Sequence, residues 1–324
     1  MNRIWSGCKL AIAFVLGLPF IVFLLPMWYV YVWSERREGR PDPVLPWRSM
    51  TRREPQSRVV EEPARTETLR EIPLAVAPSA GGVALVAGGG KRLGGAVSRD
   101  LAALGYRVGV LFHQDRAAAE DCVAAIRQAG GEAEALGVDL TDPGRMESCL
   151  DEAERRLGGV PEVVVNCAGL LLPTDPAQPD WEEMNAVLRV NLQGPMWFAM
   201  RVARRMRVAD RQGLIVQVCD IWGERPLVGH AAYSAAKAGL LMATQALARE
   251  VGPGVRVNAI APGAILPPEG DSGPLAEGFR KMLDRTPLAA HAGPEAVVHA
   301  VRYLLGARFV TGEVLHVDGG RRLL

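Results

Sequence analysis

The chain has 324 residues, is 49% hydrophobic and 23% charged, and carries a formal net charge of +1. This near-neutral balance gives no indication of nucleic-acid binding, which normally requires a basic excess or a basic stripe. The five cysteines are dispersed without Cys-x-x-Cys spacing, which favours free thiols in a reducing compartment over a disulfide framework or a metal site.

The first predicted element is an apolar segment, residues 10–33, that contains no charged side chain. About 20 apolar residues suffice to cross a bilayer core, and the Trp and Tyr cluster at its end is typical of a membrane interface. Six arginines follow between residues 36 and 53, which favours a cytoplasmic location for the C-terminal side. We therefore expect residues 1–33 to form a single-pass membrane anchor. A cleaved signal peptide and a misassigned start codon are the alternatives, and without the segment the protein would be cytoplasmic.

Residues 34–80 are rich in Arg, Glu and Pro and predict a disordered tether, because such a composition cannot bury a core. From Gly81 onward, short apolar runs alternate with longer amphipathic ones. The predicted strands are VALVA (83–87), RVGVLF (107–112), 134–138, EVVVN (162–166), LIVQV (214–218), VRVNAI (255–260) and EVLHV (313–317). Helices are predicted over 116–129, after Thr141 or Asp142 as N-cap, and after 293–294. The alternation predicts one α/β domain, 81–324, with a doubly wound parallel sheet of the Rossmann type.

The first strand leads into a glycine-rich turn and a helix, GGGKRLGGAVSRDLAALG (88–105). Glycines there allow close backbone approach, and the helix N-terminus suits the pyrophosphate of a dinucleotide. No acid stands at the tip of the second strand to bind the ribose of NAD, although Asp115 follows one or two positions late. Lys91, Arg92 and Arg116 suit the additional phosphate of NADP. We therefore predict NADP(H) as the cofactor, with NAD(H) less favoured, and expect Asp139 to meet the adenine ring.

Seven motifs fall in the order typical of one family. They are GGGKRLG (88–94), VDL (138–140), NCAG (166–169), Asn191 of VNLQG, the Tyr-x-x-x-Lys pair Tyr233 and Lys237, VNAIAPG (257–263) and VDGG (317–320). Over residues 81–324 the chain therefore resembles the short-chain dehydrogenase/reductase family. Two positions depart from the pattern, since Ala87 replaces the usual threonine and Arg92 occupies a position that is often glycine.

The resemblance implies a set of cofactor-binding residues spread over all the strand ends. They are Gly88, Lys91, Arg92, Leu93, Gly94, His113, Gln114, Arg116, Asp139, Leu140, Asn166, Ala168, Gly169, Tyr233, Lys237, Pro262 and Gly263. It also implies four catalytic residues. Tyr233 would donate a proton, Lys237 would stabilise its phenolate and bind the nicotinamide ribose, and Asn191 would hold a helix carbonyl open to a water that leads to Lys237. Asp220, the fourth, would share a proton relay with Tyr233.

Asp220 stands thirteen residues before Tyr233, where the family usually has serine. This aspartate, the Lys-Arg-Leu-Gly loop and the DxxxxxPLxG pattern (220–229) resemble the pteridine reductase and dihydromonapterin reductase branch, in which the aspartate is a working residue. An ionised carboxylate cannot donate a hydrogen bond to a developing alkoxide, so Asp220 argues against simple ketone reduction and suits a C=N bond in a nitrogen-rich ring. Leu171 departs from the branch, because an aromatic that stacks on the pterin usually stands there. Trp222 is the alternative stacking residue.

We therefore expect an NADPH-dependent reductase of a pterin-like compound, dihydropterin or dihydrofolate, or of a related C=N substrate. The predicted substrate contacts are Arg92, Leu171, Asp220, Trp222 and Tyr233. A carbonyl reductase of a 3-oxoacyl or other ketone remains an alternative, as does a catalytically silent NADPH-binding scaffold at the membrane. The family resemblance further implies a homo-oligomer, dimer or tetramer, and the Pro- and Gly-rich loop 263–286 is expected to close over the substrate. We predict no metal and no nucleic-acid partner.

Overall fold

The computed structural model describes residues 81–267 and 274–324. The predicted membrane anchor (1–33) and tether (34–80) lie outside the described residues, so both stay predictions. In the two described ranges, no helix combines the length and the apolar character that a membrane span requires.

One sheet of seven parallel strands forms the centre of the domain. The strands are β1 (Val83–Ala87), β2 (Arg107–Phe112), β3 (Glu132–Gly137), β4 (Pro161–Asn166), β5 (Gly213–Val218), β6 (Val255–Pro262) and β7 (Val314–Val317). Their order in the sheet is β3-β2-β1-β4-β5-β6-β7. The predicted parallel sheet is confirmed, and each strand begins and ends within two residues of its prediction. Because the order reverses direction between β1 and β4, a crevice opens there at the carboxyl ends of the strands.

Eight α-helices cover the two faces of the sheet in the described residues. They are α1 (Arg92–Ala103), α2 (Arg116–Gln128), α3 (Pro143–Leu157), α4 (Trp181–Leu188), α5 (Gly194–Val208), α6 (Ala231–Val251), α7 (Pro274–Asp284) and α8 (Glu295–Gly306). Of the two predicted caps for α3, Asp142 is the one used, since its carboxylate accepts from the backbone N–H groups of Gly144 and Arg145. A π-helical turn, Arg189–Gln193, joins α4 to α5.

The apolar core has two halves, one on each face of the sheet. On one face, Leu101 of α1, Ile126 of α2 and Val301 of α8 pack against the strands. On the other face, Leu150 of α3 and Phe198 of α5 do the same. Covering both faces explains why the inner strands are nearly continuous apolar runs, and it leaves the carboxyl ends of the strands as the open edge for ligands.

The Met and Trp positions of MWFAMRVARRM (196–206) form a stripe that suits the core or a subunit contact. Phe198, Val202 and Met206 are buried, whereas Trp197 and Met200 are 39% and 41% exposed. Helix α5 thus supplies core on one side, and the predicted oligomer stays a prediction.

Candidate active site

Three of the predicted catalytic side chains meet at the carboxyl end of β5. Asp220 lies two residues beyond this strand, and Tyr233 and Lys237 lie one turn apart on α6. The Tyr233 hydroxyl donates to Asp220 Oδ2 at 2.7 Å. Lys237 Nζ donates to the Val218 carbonyl at 3.1 Å and lies 5.6 Å from the centroid of the Tyr233 ring. The geometry therefore joins Asp220 directly to the tyrosine.

Burial governs the protonation of this triad. Burial raises the pKa of the Asp220 carboxyl, against the hydrogen bonds from the Trp222 backbone and Tyr233 and the charge of Lys237, which act to lower it. Burial also raises the pKa of the Tyr233 phenol, and the neighbouring Asp220 raises it further. The pKa of Lys237 is lowered because its ammonium is removed from water. All three shifts favour the neutral forms, so the carboxyl and phenol hold their protons more firmly than in solution. For Asp220 this shift runs against the ionised carboxylate expected from the sequence.

Asn191 lies inside the π-helical turn, completely buried. Its Nδ2 donates to the Leu170 carbonyl at 2.7 Å and to the Val187 carbonyl at 2.9 Å, and its Oδ1 accepts from the Leu170 backbone at 3.2 Å. A Cβ added at Gly169 would lie 3.2 Å from Asn191 Oδ1 and 3.8 Å from Lys237 Nζ. Asn191 thus fixes the segment after β4 against α4, beside the lysine.

The glycine-rich turn after β1 has the geometry of a phosphate cradle. Gly88 adopts a left-handed φ of 68°, and a Cβ there would lie 3.1 Å from the Ala168 backbone nitrogen. The N-cap residue of α1, Lys91, makes no side-chain capping hydrogen bond, whereas aspartates cap α2, α3 and α4. Within the described residues, the first N–H groups of α1 are thus not used by an N-cap side chain, which suits a pyrophosphate.

Replacing Gly94 by alanine is expected to disrupt this turn. The added Cβ would lie 2.0 Å from the Gly88 carbonyl oxygen, so the backbone must move. Overpacking of this kind costs about 1–3 kcal/mol or more, which lowers the melting temperature by several degrees. We expect calorimetry to show this loss together with weakened NADPH binding. Gly278→Ala is the control, since nothing lies within 4 Å of the added Cβ in α7. An unchanged melting temperature and affinity in Gly94→Ala would contradict the cradle.

The tip of β2 carries the residues predicted to select the cofactor. Asp115, the one acid that could favour NAD, accepts from Lys91 Nζ at 2.8 Å and caps α2 through the Ala118 backbone N–H. Both contacts lower its pKa. Arg116 lies with its guanidinium 5.1 Å from the centroid of the Phe112 ring. Arg116 Nη1 also lies 3.3 Å from Glu120 Oε1. Asp115 is thus engaged with the protein, and Lys91 and Arg116 are the cationic side chains on either side of it in the predicted cofactor region.

The other predicted cofactor residues line the crevice. His113 Nε2 lies 3.5 Å from Asp139 Oδ2, and the other oxygen of Asp139 accepts from the backbone and hydroxyl of Thr141 at 2.8 Å. Asn166 Oδ1 accepts from the Ala168 backbone at 3.3 Å. The remaining predicted members, Leu93, Gln114, Leu140, Pro262 and Gly263, lie in or beside these same strand ends and turns.

Two of the predicted substrate residues, Trp222 and Leu171, lie in different surroundings. Trp222 packs against an apolar cluster that contains Val187 and Tyr233, and its backbone N–H donates to Asp220 Oδ1 at 3.0 Å. Leu171 is 51% exposed and does not belong to that cluster, which takes Leu170 and Leu172 from the same segment.

Arg92 has a left-handed φ of 49°, which explains why glycine often occupies this position in the family. Its Nη2 donates to the Pro267 carbonyl at 3.0 Å. This hydrogen bond connects the glycine-rich turn with the segment that follows β6, on the route toward the loop predicted to cover the substrate.

Three contacts of the site were not foreseen from the sequence. Gln217 Oε1 accepts from Asn166 Nδ2 at 3.1 Å, and Thr174 Oγ1 accepts from the Ala232 backbone at the start of α6. Arg321 lies with its guanidinium carbon 6.0 Å from the centroid of the Trp222 ring. Each pairs segments more than 50 residues apart, and only the fold brings such segments together. The thiols of the half-buried Cys167 and the buried Cys219, whose pKa values desolvation raises to about 12, are unreactive fillers.

A doubly wound sheet with an anion cradle after β1 and a Tyr–Lys pair after β5 defines a dinucleotide-dependent oxidoreductase. Residues 89–322 match the family model described as enoyl-(acyl carrier protein) reductase. The 3-oxoacyl-[acyl-carrier-protein] reductase of Synechocystis sp. is 32% identical over 244 residues, covering 74% of this chain and 96% of that protein. The chain therefore belongs to the short-chain dehydrogenase/reductase family.

Two solved structures extend the comparison. A variant of actinorhodin polyketide ketoreductase with NADPH is 28% identical with a TM-score of 0.70, covering 77% of this chain and all (100%) of that one. The alternative dihydrofolate reductase 1, FolM, of Brucella canis, complexed with NADP, is 29% identical with a TM-score of 0.67, covering 76% and 96%. Both contain NADP(H), in agreement with the cofactor predicted from the cationic residues near Asp115. Similarity to the FolM structure also supports the predicted resemblance to the pteridine reductase branch.

Proposed function

We propose that this NADP(H)-dependent oxidoreductase reduces the C=N bond of a pterin-like compound, a dihydropterin or dihydrofolate. The observation that carries the proposal is the part-buried hydrogen bond of 2.7 Å between Tyr233 and Asp220. A carboxyl group in this position accepts a hydrogen bond from the tyrosine hydroxyl, which in a ketone reductase donates to the substrate. The carboxyl group is also a second proton donor next to the tyrosine, which suits protonation of a ring nitrogen.

When bound, NADPH supplies the hydride. Tyr233 donates its proton to the ring nitrogen. A protonated Asp220 then passes its own proton to the tyrosine oxygen across the same 2.7 Å contact, so the hydrogen bond between the two groups reverses its direction. The carboxylate left on Asp220 takes a proton from solvent afterwards. Lys237, held by the Val218 carbonyl, places a positive charge next to the phenol ring and stabilises any phenolate character that develops. Asn191 keeps the segment at Gly169 in register with Lys237.

Residues of the glycine-rich turn and of the segment after β2 would hold the cofactor. The uncapped N-terminus of α1 suits the pyrophosphate, and Lys91 with Arg116 suits the ribose phosphate. Trp222 is the aromatic side chain nearest the Tyr233 cluster and would contact the face of the substrate ring.

Lys91→Gln is expected to shift the cofactor preference toward NADH. The change removes a cation from the phosphate position and releases Asp115, which can then accept from a ribose hydroxyl. We expect the KM for NADPH to rise about tenfold, with the KM for NADH unchanged or lower. Lys281→Gln is a matched control because Lys281 is an exposed lysine in an ion pair with Glu277. Equal changes in the two KM values would contradict this assignment of Lys91.

The test of the proposed function is NADPH oxidation by the purified full-length protein. Dihydropterin, dihydrofolate, quinonoid dihydropterin and a short 3-oxoacyl thioester would be offered separately. Turnover of a pterin that disappears in Asp220→Ala supports the proposal. Turnover of the thioester alone, unaffected by Asp220→Ala, would instead establish the second candidate, a carbonyl reductase, which the Synechocystis relative and the polyketide ketoreductase favour. No turnover with tight NADPH binding would indicate the silent scaffold.

A further inference from the structure

Arg321 is an arginine whose guanidinium lacks a full set of partners. It lies in the short helical turn Arg321–Leu323 after β7 and is only 9% exposed. Its Nη1 donates to the Leu324 carbonyl at 3.4 Å, and its Nε is buried without any hydrogen-bond partner. A buried N–H of a charged group is costly when no acceptor reaches it. The arrangement therefore favours an acceptor that is supplied from outside the described chain.

Two further arginines lie around Arg321. Arg225 Nη1 donates to the Arg321 carbonyl at 3.0 Å. Arg285 follows α7, and the next residues, Thr286 and Pro287, pack on Gly319 and Gly320, directly before Arg321. Burial lowers the pKa of Arg321, and the charges of Arg225 and Arg285 lower it further, which indicates that the three cations share one region.

No Asp or Glu side chain of the described residues forms an ion pair with these three arginines. Glu224, the neighbour of Arg225, instead accepts from His316 Nε2 at 2.9 Å when that nitrogen carries a proton. The carboxylate of Asp318 accepts from the backbone N–H groups of Gly320 at 3.0 Å and Arg322 at 2.8 Å. The cluster, defined as Arg225, Arg285 and Arg321, therefore keeps a net positive charge.

The arginine cluster adjoins the candidate active site through Trp222. The Trp222 ring contacts the apolar cluster that contains Tyr233, and the Arg321 guanidinium lies 6.0 Å from the centroid of that ring. A substrate ring that lies beside Trp222 and Tyr233 would thus have its side chain on the same side of the site as the arginine cluster. Guanidinium groups bind carboxylates through paired N–H donors, which combines charge with direction.

We propose that Arg225, Arg285 and Arg321 form a subsite for an anionic group on the substrate's tail, namely the carboxylates of a folate-type glutamyl tail. The inference rests on the proposed function and narrows it, because it selects dihydrofolate over dihydropterins with neutral side chains. A carboxylate of the tail would accept a hydrogen bond from Arg321 Nε, and the two carboxylates would offset most of the charge of the three arginines.

The test compares an anionic and a neutral substrate in one variant. Arg285→Gln is chosen because Arg285 is exposed and its side chain makes no hydrogen bond to other described residues, so folding should be unaffected. In the full-length protein with NADPH, we expect the KM for dihydrofolate to rise about tenfold with kcat retained. The KM for dihydrobiopterin, whose side chain is neutral, should not change. Arg155→Gln, an exposed arginine at the end of α3, is the matched control.

A second measurement keeps this inference separate from the proposed reaction. Isothermal titration of p-aminobenzoyl-glutamate into the NADP-loaded protein measures binding of the tail alone, with the neutral diamide as its control. Binding that requires the carboxylates and weakens in Arg285→Gln supports the subsite, even if no pterin is reduced and the proposed function fails. Equal affinity for both probes, or equal KM changes for both pterins, overturns it. If Arg285→Gln raised only the KM for a 3-oxoacyl-coenzyme A, the carboxylate assignment would be wrong. The subsite would then bind a phosphate.

Discussion

Tyr233→Phe is expected to reduce turnover of the reactive substrate by about 10²–10⁴-fold, the range that a lost general acid produces. The variant removes one hydroxyl, which is the proton donor and the partner of Asp220 Oδ2. Lys237 keeps its hydrogen bond to the Val218 carbonyl, and the glycine-rich turn is not touched. NADPH affinity should therefore be retained, and stopped-flow oxidation with fluorescence titration would separate the two effects.

Tyr303→Phe provides the matched control for this experiment, because Tyr303 lies on α8 with 55% of its surface exposed. Its turnover should equal that of the unaltered protein. Retention of most activity in Tyr233→Phe would mean that the proton comes from another group, and Asp220 would be the first to consider because it lies 2.7 Å from the hydroxyl.

Asp220→Ser is expected to weaken pterin reduction and to strengthen ketone reduction. Serine restores the residue typical of the family, a neutral donor suited to a developing alkoxide, and removes the proton store behind Tyr233. Pterin reduction should fall about hundredfold or more, since a general acid–base contribution is lost. Reduction of a 3-oxoacyl thioester should rise. Parallel kcat/KM measurements on both substrates decide the outcome, and a pterin activity that survives intact would contradict a role for Asp220.

The pH dependence of the unaltered protein follows from the same residue. Burial places the pKa of Asp220 above its ordinary value, so the carboxyl keeps its proton to higher pH and loses it as the pH rises through that raised pKa. Relay activity should therefore decline with rising pH, and Asp220→Ser should lack this limb of the profile. The raised pKa also means that ionising Asp220 opposes folding at high pH, so the variant should be no less stable there than the unaltered protein. A lower melting temperature at alkaline pH would show that Asp220 has a structural role.

Much of the candidate site could be predicted because its residues lie within short, local motifs. Gly88 and Gly94 follow a strand and precede a helix, and Tyr233 and Lys237 are one helical turn apart, so the spacing alone brings them together. The uncapped N-terminus of α1 also agrees with the motif. The position of Leu171 was less predictable, because the burial of successive leucines after β4 depends on how that segment packs against α4.

The amino-acid sequence by itself determined the parallel sheet, the glycine cradle and the Tyr–Lys pair, because each depends on hydrophobic period or on neighbours along one element. Tertiary structure alone decided that Lys91 engages Asp115, that Arg92 reaches Pro267 and that Arg321 lies over Trp222. These contacts join residues 24, 175 and about 100 positions apart, and their partners are chosen by the packing of separate strands and helices. No local pattern encodes which distant side chain will stand within hydrogen-bonding distance, so the charge distribution around the site becomes visible only in the folded chain.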